Sequence, residues 1–279
     1  MIQAAPGRRP LVMGVVNVTP DSFSDGGRLP TREAALAHAL ALDAAGADIL
    51  DIGGESTRPG SEPVAAAEEM ARTLPLIRDL RPRTGRRLSI DTCKPEVARA
   101  AVEAGADIWN DVTALAAAGA PELAAKLGCT VVLMHMQGEP RTMQQAPHYD
   151  DVVAEVCAFL EARAAAVLAA GVARERIWLD PGIGFGKALE HNLALLAGLD
   201  RIVALGFPVL LGVSRKRFIA AIGPGGEAPG DRLGGSLAAA LAGARAGAAA
   251  VRVHDVAETV QALEVQARIL AAGGVSPAR

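Results

Sequence analysis

Eight short apolar runs in this chain each end in polar or charged residues. The runs cover 11–19, 47–54, 87–92, 107–113, 129–135, 176–182, 208–214 and 249–255, and each is nearly continuous in Val, Ile and Leu. Strands buried on both faces read this way. The stretches between and after them, 31–45, 62–81, 95–104, 121–127, 150–170, 189–205, 231–246 and 255–272, read as helices. Several open on Thr, Asp or Pro and close at Gly46, Gly105 or Gly171, which are ordinary start and stop signals. Strand and helix alternating eight times predict an α/β chain folded as a (β/α)8 TIM barrel in a single domain. The barrel spans 11–273, with an N-terminal extension at 1–10 and a tail at 274–279. Such barrels work at the carboxyl ends of their strands, so one mouth collects every polar cluster.

The bulk properties agree with that class. A chain of 279 residues that is 51% hydrophobic can bury a large core without staples. Aromatics make up only 3%, and the abundant Ala suits helices lying close on a sheet. A formal charge of −3 argues against a general nucleic-acid binder, which needs a basic face. Cys93, Cys129 and Cys157 show no metal-like pairing, and an odd count without a framework fits a reducing cytoplasm. Cys129, opening a strand, reads as core. The first ten residues do not read as a signal peptide, and no apolar run is long enough to span a bilayer. The Ala-Gly-Ala-Asp pattern at 45–48 and 104–107 reads as a tight helix-to-strand turn at the bottom of the barrel. Two long loops at 19–30 and 55–63 follow strands and read as lids over the top. The Gly/Pro/Glu-rich stretch 223–230 reads as a mobile surface loop.

Asp91, Asn110 and Asp180 each end an apolar strand. A carboxylate over a low-dielectric barrel is costly unless it meets donors. A ligand edge with adjacent N–H groups supplies them, each charge-assisted bond contributing about 1.5–3 kcal/mol. The three side chains together suit a flat, nitrogen-rich heterocycle. Taken singly, each is as well explained by a loop cap or by pairing with Lys216 or Arg217. Arg58, Lys216, Arg217, Arg252 and His254 also fall at strand ends or in top loops, where barrels hold phosphate. Arg252 and His254 are two apart and so share a face. They read as an anion site, against the alternative of a surface ion pair with Asp255 or Glu258.

The segment Asp180-Pro-Gly-Ile-Gly-Phe-Gly-Lys187 is not a P-loop, because Ala188 stands where that loop needs Ser or Thr. Its glycines read instead as letting backbone approach a ligand, with Phe185 placed to stack on a planar ring. His38 and His191 read as exposed helix residues, and His135 as a hydrogen-bonded wall residue. No spacing announces zinc or a nucleophilic triad. Mg2+ needs only one or two protein oxygens beside substrate phosphates, and Asn17 supplies one.

The segments Asn17-Val-Thr-Pro-Asp-Ser-Phe-Ser-Asp-Gly-Gly27, Gly53-Gly-Glu-Ser-Thr-Arg-Pro-Gly60, Asp180–Lys187, Ser214-Arg-Lys216 and Arg252-Val-His254 closely resemble the dihydropteroate synthase family. The likeness runs in order through nearly the whole chain. It implies condensation of 6-hydroxymethyl-7,8-dihydropterin diphosphate with 4-aminobenzoate, giving 7,8-dihydropteroate and diphosphate. It also implies a homodimer. By the same resemblance, Asp91, Asn110, Asp180 and Lys216 form a pterin pocket, with Met134 and Phe185 packing the ring. Arg58, Arg252, His254 and the Val253 backbone form a diphosphate site, Asn17 ligates Mg2+, and Thr57 lies near the substrate junction. Ser214, Phe23 and Pro59 line the aminobenzoate site. Asp91, Asp180, Lys216, Arg252 and His254 carry the catalysis. Two rivals share parts of this pattern. A methyltetrahydrofolate methyltransferase shares the acidic pocket but needs neither the Arg252/His254 site nor the 19–30 loop. An inactive scaffold barrel predicts lost cations, whereas Asn17, Arg58, Lys216, Arg252 and His254 are all present.

Overall fold

The computed structural model describes residues 9–19, 31–56, 61–139, 141–223 and 226–273. In chain order, β1 (Leu11–Asn17), α1 (Arg32–Ala44), β2 (Ile49–Gly53), α2 (Ala66–Leu80), β3 (Arg87–Asp91), α3 (Pro95–Glu103) and β4 (Ile108–Asp111) come first. Next are α4 (Ala120–Leu127), β5 (Thr130–Met134), α5 (Val152–Ala169), β6 (Ile177–Asp180), α6 (Leu189–Ala197), α7 (Leu199–Val203) and β7 (Leu210–Gly212). The last are α8 (Arg217–Ala220), α9 (Leu233–Ala246), β8 (Ala250–Val253) and α10 (Val256–Gly273). The eight strands lie in the order β6-β5-β4-β3-β2-β1-β8-β7, and every paired neighbour is parallel. A parallel bridge between Leu179 and Val209 joins β6 to β7 and brings the sheet round into a barrel. No described helix is long and apolar enough to cross a membrane.

Local chemistry sets the element ends. Thr31 caps α1 by accepting from the Ala34 amide at 3.2 Å, and Asp151 caps α5 by accepting from the Val153 and Ala154 amides. Pro95 opens α3, where its missing N–H costs nothing. The expected Ala-Gly-Ala-Asp turns are present at the bottom. Gly46 and Gly105 take φ of +96° and +116°, and the carboxylates of Asp48 and Asp107 accept the first free amides of the neighbouring strands, Val12 and Leu88. The helix expected over 189–205 is interrupted at Gly198, where α5 packs so close that an added Cβ would lie 3.2 Å from both Val153 methyls. The four-residue α8 is too short to show a sequence period. The stretch expected to be a mobile loop is held in its described part: Arg232 donates to the carbonyls of Gly226, Glu227 and Arg215.

Two apolar cores result. The larger lies between the strands and the surrounding helices and includes Trp109, Cys129 and Val253. The smaller fills the barrel: Met13, Ile49, Ile108, Val132, Trp178, Leu210 and Ala250, all 0% exposed. This plug closes the interior below the mouth and identifies which residues point inward. Side chains on a strand alternate, so the next inward layer is two residues further along each strand.

Candidate functional site at the strand ends

Counting two residues on from the plug gives Val15 on β1, Asp51 on β2, Asn110 on β4, Met134 on β5, Asp180 on β6, Gly212 on β7 and Arg252 on β8. Asp91 sits one step higher, in a register row that runs Asn17, Gly53, Asp91, Asn110 across β1 to β4. The mouth therefore has an acidic layer directly above an apolar plug. Asp51, Asn110 and Asp180 are buried, and the Asp91 side chain is only 10% exposed.

Arg252 ties this layer together. Its Nε donates to Asp51 Oδ2 at 2.6 Å and its Nη2 donates to Asp91 Oδ2 at 2.8 Å. Asn110 Nδ2 reaches the same Asp51 oxygen at 3.4 Å. The alternative weighed for Arg252, a surface ion pair with Asp255 or Glu258, is not what the structure shows. Asp255 takes Arg215 instead, whose Nε donates to Oδ2 at 3.0 Å. The inward period of β8 carries Arg252 into the acidic layer, whereas Arg215, with φ of +58°, turns back across the outside.

The opposite wall brings up Lys216. A Cβ placed on Gly212 would lie 3.7 Å from Lys216 Nζ and 4.0 Å from both Arg252 Cβ and Asp180 Oδ2, so all three converge where β7 offers no side chain. Lys216 Nζ donates to the Ile183 carbonyl and stands 4.7 Å from the centre of the Phe185 ring. Asp180 Oδ1 accepts the Gly182 amide at 2.7 Å. Ser214 Oγ and His254 Nδ1 are 3.0 Å apart, and the His254 amide donates to the same hydroxyl at 3.1 Å. Met134 is buried beside Asp180 in register, and Val253 turns its side chain outward, leaving its backbone on the barrel rim. Arg217 is exposed on α8. Thr57, Arg58, Pro59 and Phe23 lie outside the described residues, as do Asp21 and Asp25.

Burial dominates the titration of these groups. It pushes the Asp91 carboxyl up to about 7; Arg252 opposes the rise, and Asp51 adds to it. Asp180 is raised by burial against the pull of Lys216. Lys216 is pushed down to about 8 by burial, with Asp180 resisting. Burial also opposes charge on Arg252, but Asp51 and Asp91 outweigh it and hold the guanidinium charged.

The glycine loop differs from its expected use. Gly182, Gly184 and Gly186 all have positive φ. An added Cβ would stand 1.8 Å from the His135 carbonyl oxygen at Gly182 and 2.3 Å from the Gln137 carbonyl oxygen at Gly186. These two glycines let the β6 loop lie on the β5 loop rather than face a ligand. Behind them Lys187 is buried and lies 2.9 Å from His135 Nδ1, donating also to the Phe185 carbonyl at 2.9 Å. Burial, and then Lys216, hold Lys187 down to about 7; burial and Lys187 hold His135 down to about 3. His135 is thus the expected wall residue. His38 and His191 are half-buried rather than exposed: His38 Nε2 lies 3.4 Å from the Val15 carbonyl oxygen, and the His191 ring packs edge-on to Tyr149.

The match to the model described as "Pterin binding enzyme" covers residues 13–254. The chain belongs to the pterin-binding enzyme family. The dihydropteroate synthase of Escherichia coli (strain K12) is 49% identical over 94% of this chain and 93% of its own length. Among solved structures, the Xanthomonas albilineans dihydropteroate synthase with 4-aminobenzoic acid is 54% identical, with a TM-score of 0.88 over 96% of this chain and 94% of that one. The same organism's enzyme in complex with 7,8-dihydropteroate is 50% identical, with a TM-score of 0.85 over 98% and 97%.

Within this pterin-binding barrel, the sequence places Asp21, Asp25, Asp51 and Glu55 near the mouth with roles open between loop closure and capping, shows Gly53 only as part of a motif, and gives no role to Gly212. Asp51 carried a signal: it is a lone charge inside an apolar run, two residues before Gly53 and so on the same face. The glycines mark where the mouth is kept open. No group of three or more His, Cys, Asp or Glu among the described residues suits a metal ion.

Proposed function

We propose that this chain is a dihydropteroate synthase of folate biosynthesis, joining 6-hydroxymethyl-7,8-dihydropterin diphosphate to 4-aminobenzoate and releasing diphosphate. One observation carries the reading: Asp51, Asp91, Asn110 and Asp180 point into one mouth together with Arg252 and Lys216. A relative that shares about half of its residues, solved with 4-aminobenzoic acid and with 7,8-dihydropteroate, supports the same choice of substrates.

In this proposal the carboxylates of Asp91 and Asp180, with Asn110, accept the N–H groups of the pterin edge. Met134 and Phe185 pack against the ring, and Lys216 balances Asp180. Arg252, His254, the Val253 backbone and Arg58 receive the diphosphate. Thr57 lies near the junction, and Ser214, Phe23 and Pro59 border the aminobenzoate. An aromatic amine is neutral near pH 7 and needs no strong general base, and no described side chain at the mouth is placed as an obvious one. The demanding step is departure of diphosphate. The C–O bond breaks, the electron pair leaves with the diphosphate, and positive charge spreads from the methylene into the pterin. Asp91 and Asp180 stabilise that charge, while fixed cations stabilise the leaving group. The amine nitrogen then bonds to the methylene and gives its proton to solvent.

Mg2+ fits the residues present. Asn17 Oδ1 is a hard, neutral oxygen at the end of β1, half-buried, in the same register row as Asp91, with no hydrogen bond to its side chain among the described residues. One such ligand is what Mg2+ commonly takes when substrate phosphates and water fill the remaining positions. The ion would supply charge neutralisation of the diphosphate. We place the enzyme in the cytoplasm, consistent with its three free thiols, and as a homodimer, which sedimentation would check.

The test is diphosphate release measured with and without 4-aminobenzoate in the presence of Mg2+. Release that requires both organic substrates is the expected result. A chain that binds neither pterin nor diphosphate by calorimetry would instead be a scaffold.

A further inference from the structure

Asp51 is assigned no role by the reading above, yet it anchors the cation of the mouth. Its side chain is 0% exposed, against 10% for Asp91 and 23% for Arg252. Asp51 lies two residues before Gly53, the register partner of Asp91, so it sits one layer beneath the open mouth. Arg252 spans the two levels, giving Nε to Asp51 at 2.6 Å and Nη2 to Asp91 at 2.8 Å. Nη1 donates to no described residue. Among the described residues, Asp51 Oδ2 takes one further contact, from Asn110 at 3.4 Å, and Oδ1 has no hydrogen-bond partner.

These two ion pairs differ in what breaking them would leave behind. Withdrawing Nε from Asp51 leaves a fully buried carboxylate with the long Asn110 contact alone, which is strongly unfavourable. Withdrawing Nη2 from Asp91 strands nothing if a ligand N–H takes its place, because Asp91 faces the mouth. The lower contact is therefore fixed and the upper one is replaceable.

We propose that Asp51 is a positioning residue: it pins Arg252 through Nε, so that Nη2 exchanges Asp91 for bound substrate while the guanidinium stays in the mouth. The inference rests on the pterin reading of the site. Without the charge of Asp51, Arg252 settles wholly on Asp91, competing with the pterin for that carboxylate and turning away from the diphosphate.

The test is a cycle of wild type, D51N, R252Q and the double variant, read as kcat/KM for the pterin diphosphate. D51N is expected to lose about tenfold or more, with KM for 4-aminobenzoate unchanged, and to cost less than about twofold when Arg252 is already Gln. A D51N enzyme within about twofold of wild type, or losses that multiply in the double variant, overturns the proposal. A second measurement needs no folded D51N. In 15N-labelled wild type, the Arg252 Nε–H resonance, assigned by its loss in R252Q, is expected to stay protected from exchange when 6-hydroxymethylpterin saturates the site. Loss of that protection on binding also overturns the proposal. Wild type that binds no pterin sinks the functional reading itself, whereas active wild type with multiplicative variants sinks only the role of Asp51.

Discussion

At the scale of single residues, the chemistry of the mouth is set by how little water reaches its charges. Asp91 illustrates this. Its carboxyl is raised to about 7 by burial, even with Arg252 2.8 Å away. Asp91→Asn keeps the shape and removes the charge. If Asp91 both binds the ring and stabilises developing positive charge, kcat should fall about ten- to hundredfold and the pterin KM should rise, the range expected for a charged hydrogen bond. A rise in KM alone would confine Asp91 to binding. The pH dependence has a definite sign. Pterin affinity in wild type should drop as pH falls through about 7, where Asp91 takes up a proton, and D91N should lack that limb. Stability runs the other way. A raised carboxyl pKa means the native state holds more protons than the unfolded one between about 4 and 7, so stability falls as pH rises across that window. Urea midpoints at the two ends should show this slope in wild type and a smaller one in D91N.

At the scale of elements, the inward layer was legible wherever an apolar strand ended in a polar residue. Asp91, Asn110, Asp180 and Arg252 were readable on that ground. Asp51 was legible only as a residue near the mouth, its part open between loop closure and capping, because it lies inside its run, between Leu50 and Ile52, and because strand period alone does not say which phase faces the barrel. The plug residues settle the phase, and they are known only from packing. The Asp180–Lys187 glycines were misread for a related reason. Positive φ is legible from the glycines, but the neighbour that demands it is another loop. Gly182→Ala should therefore cost roughly 3 kcal/mol or more, since its Cβ would meet the His135 carbonyl oxygen at 1.8 Å. Gly119→Ala, at φ +74° with nothing within 4 Å, should cost only about 1 kcal/mol, the backbone strain alone. Equal denaturation midpoints for the two variants would show that the close approach does not matter. The root of the second top loop is held similarly. Lys94 pairs with Glu55 and with the fully buried Glu69, the latter at 2.6 Å. Lys94→Met leaves Glu69 without its cation and should cost about 3 kcal/mol, largely recovered by adding Glu69→Gln. A double variant no more stable than the single would remove Glu69 from the account.

At the scale of the whole molecule, the ring is not equally strong all the way round. β1 and β2 share five register pairs, whereas β7 has only three residues and meets β6 through the Leu179–Val209 bridge. The Leu179 amide still donates to the Pro208 carbonyl at 2.9 Å, so the seam is closed but thin. Local opening is easiest where few backbone bonds must break together. Native-state hydrogen exchange should find the Leu179 and Leu210 amides less protected than those of Val15 and Ile52. This seam also divides the mouth, with Asp180 at the end of β6 and Lys216 just beyond β7. A pterin gripped by both sides resists opening of the seam, because opening would release the ligand. At a pterin concentration about 100 times Kd, protection at the seam should then rise by up to about 2.7 kcal/mol, the full linkage value. The β2–β3 side, already well paired, should gain less unless it exchanges only by global unfolding. Uniform protection in the free protein, or a gain confined to β2–β3, would mean that the ligand is not held across the join. The chain closes its barrel where its ligand would sit, so binding and closure draw on the same contacts.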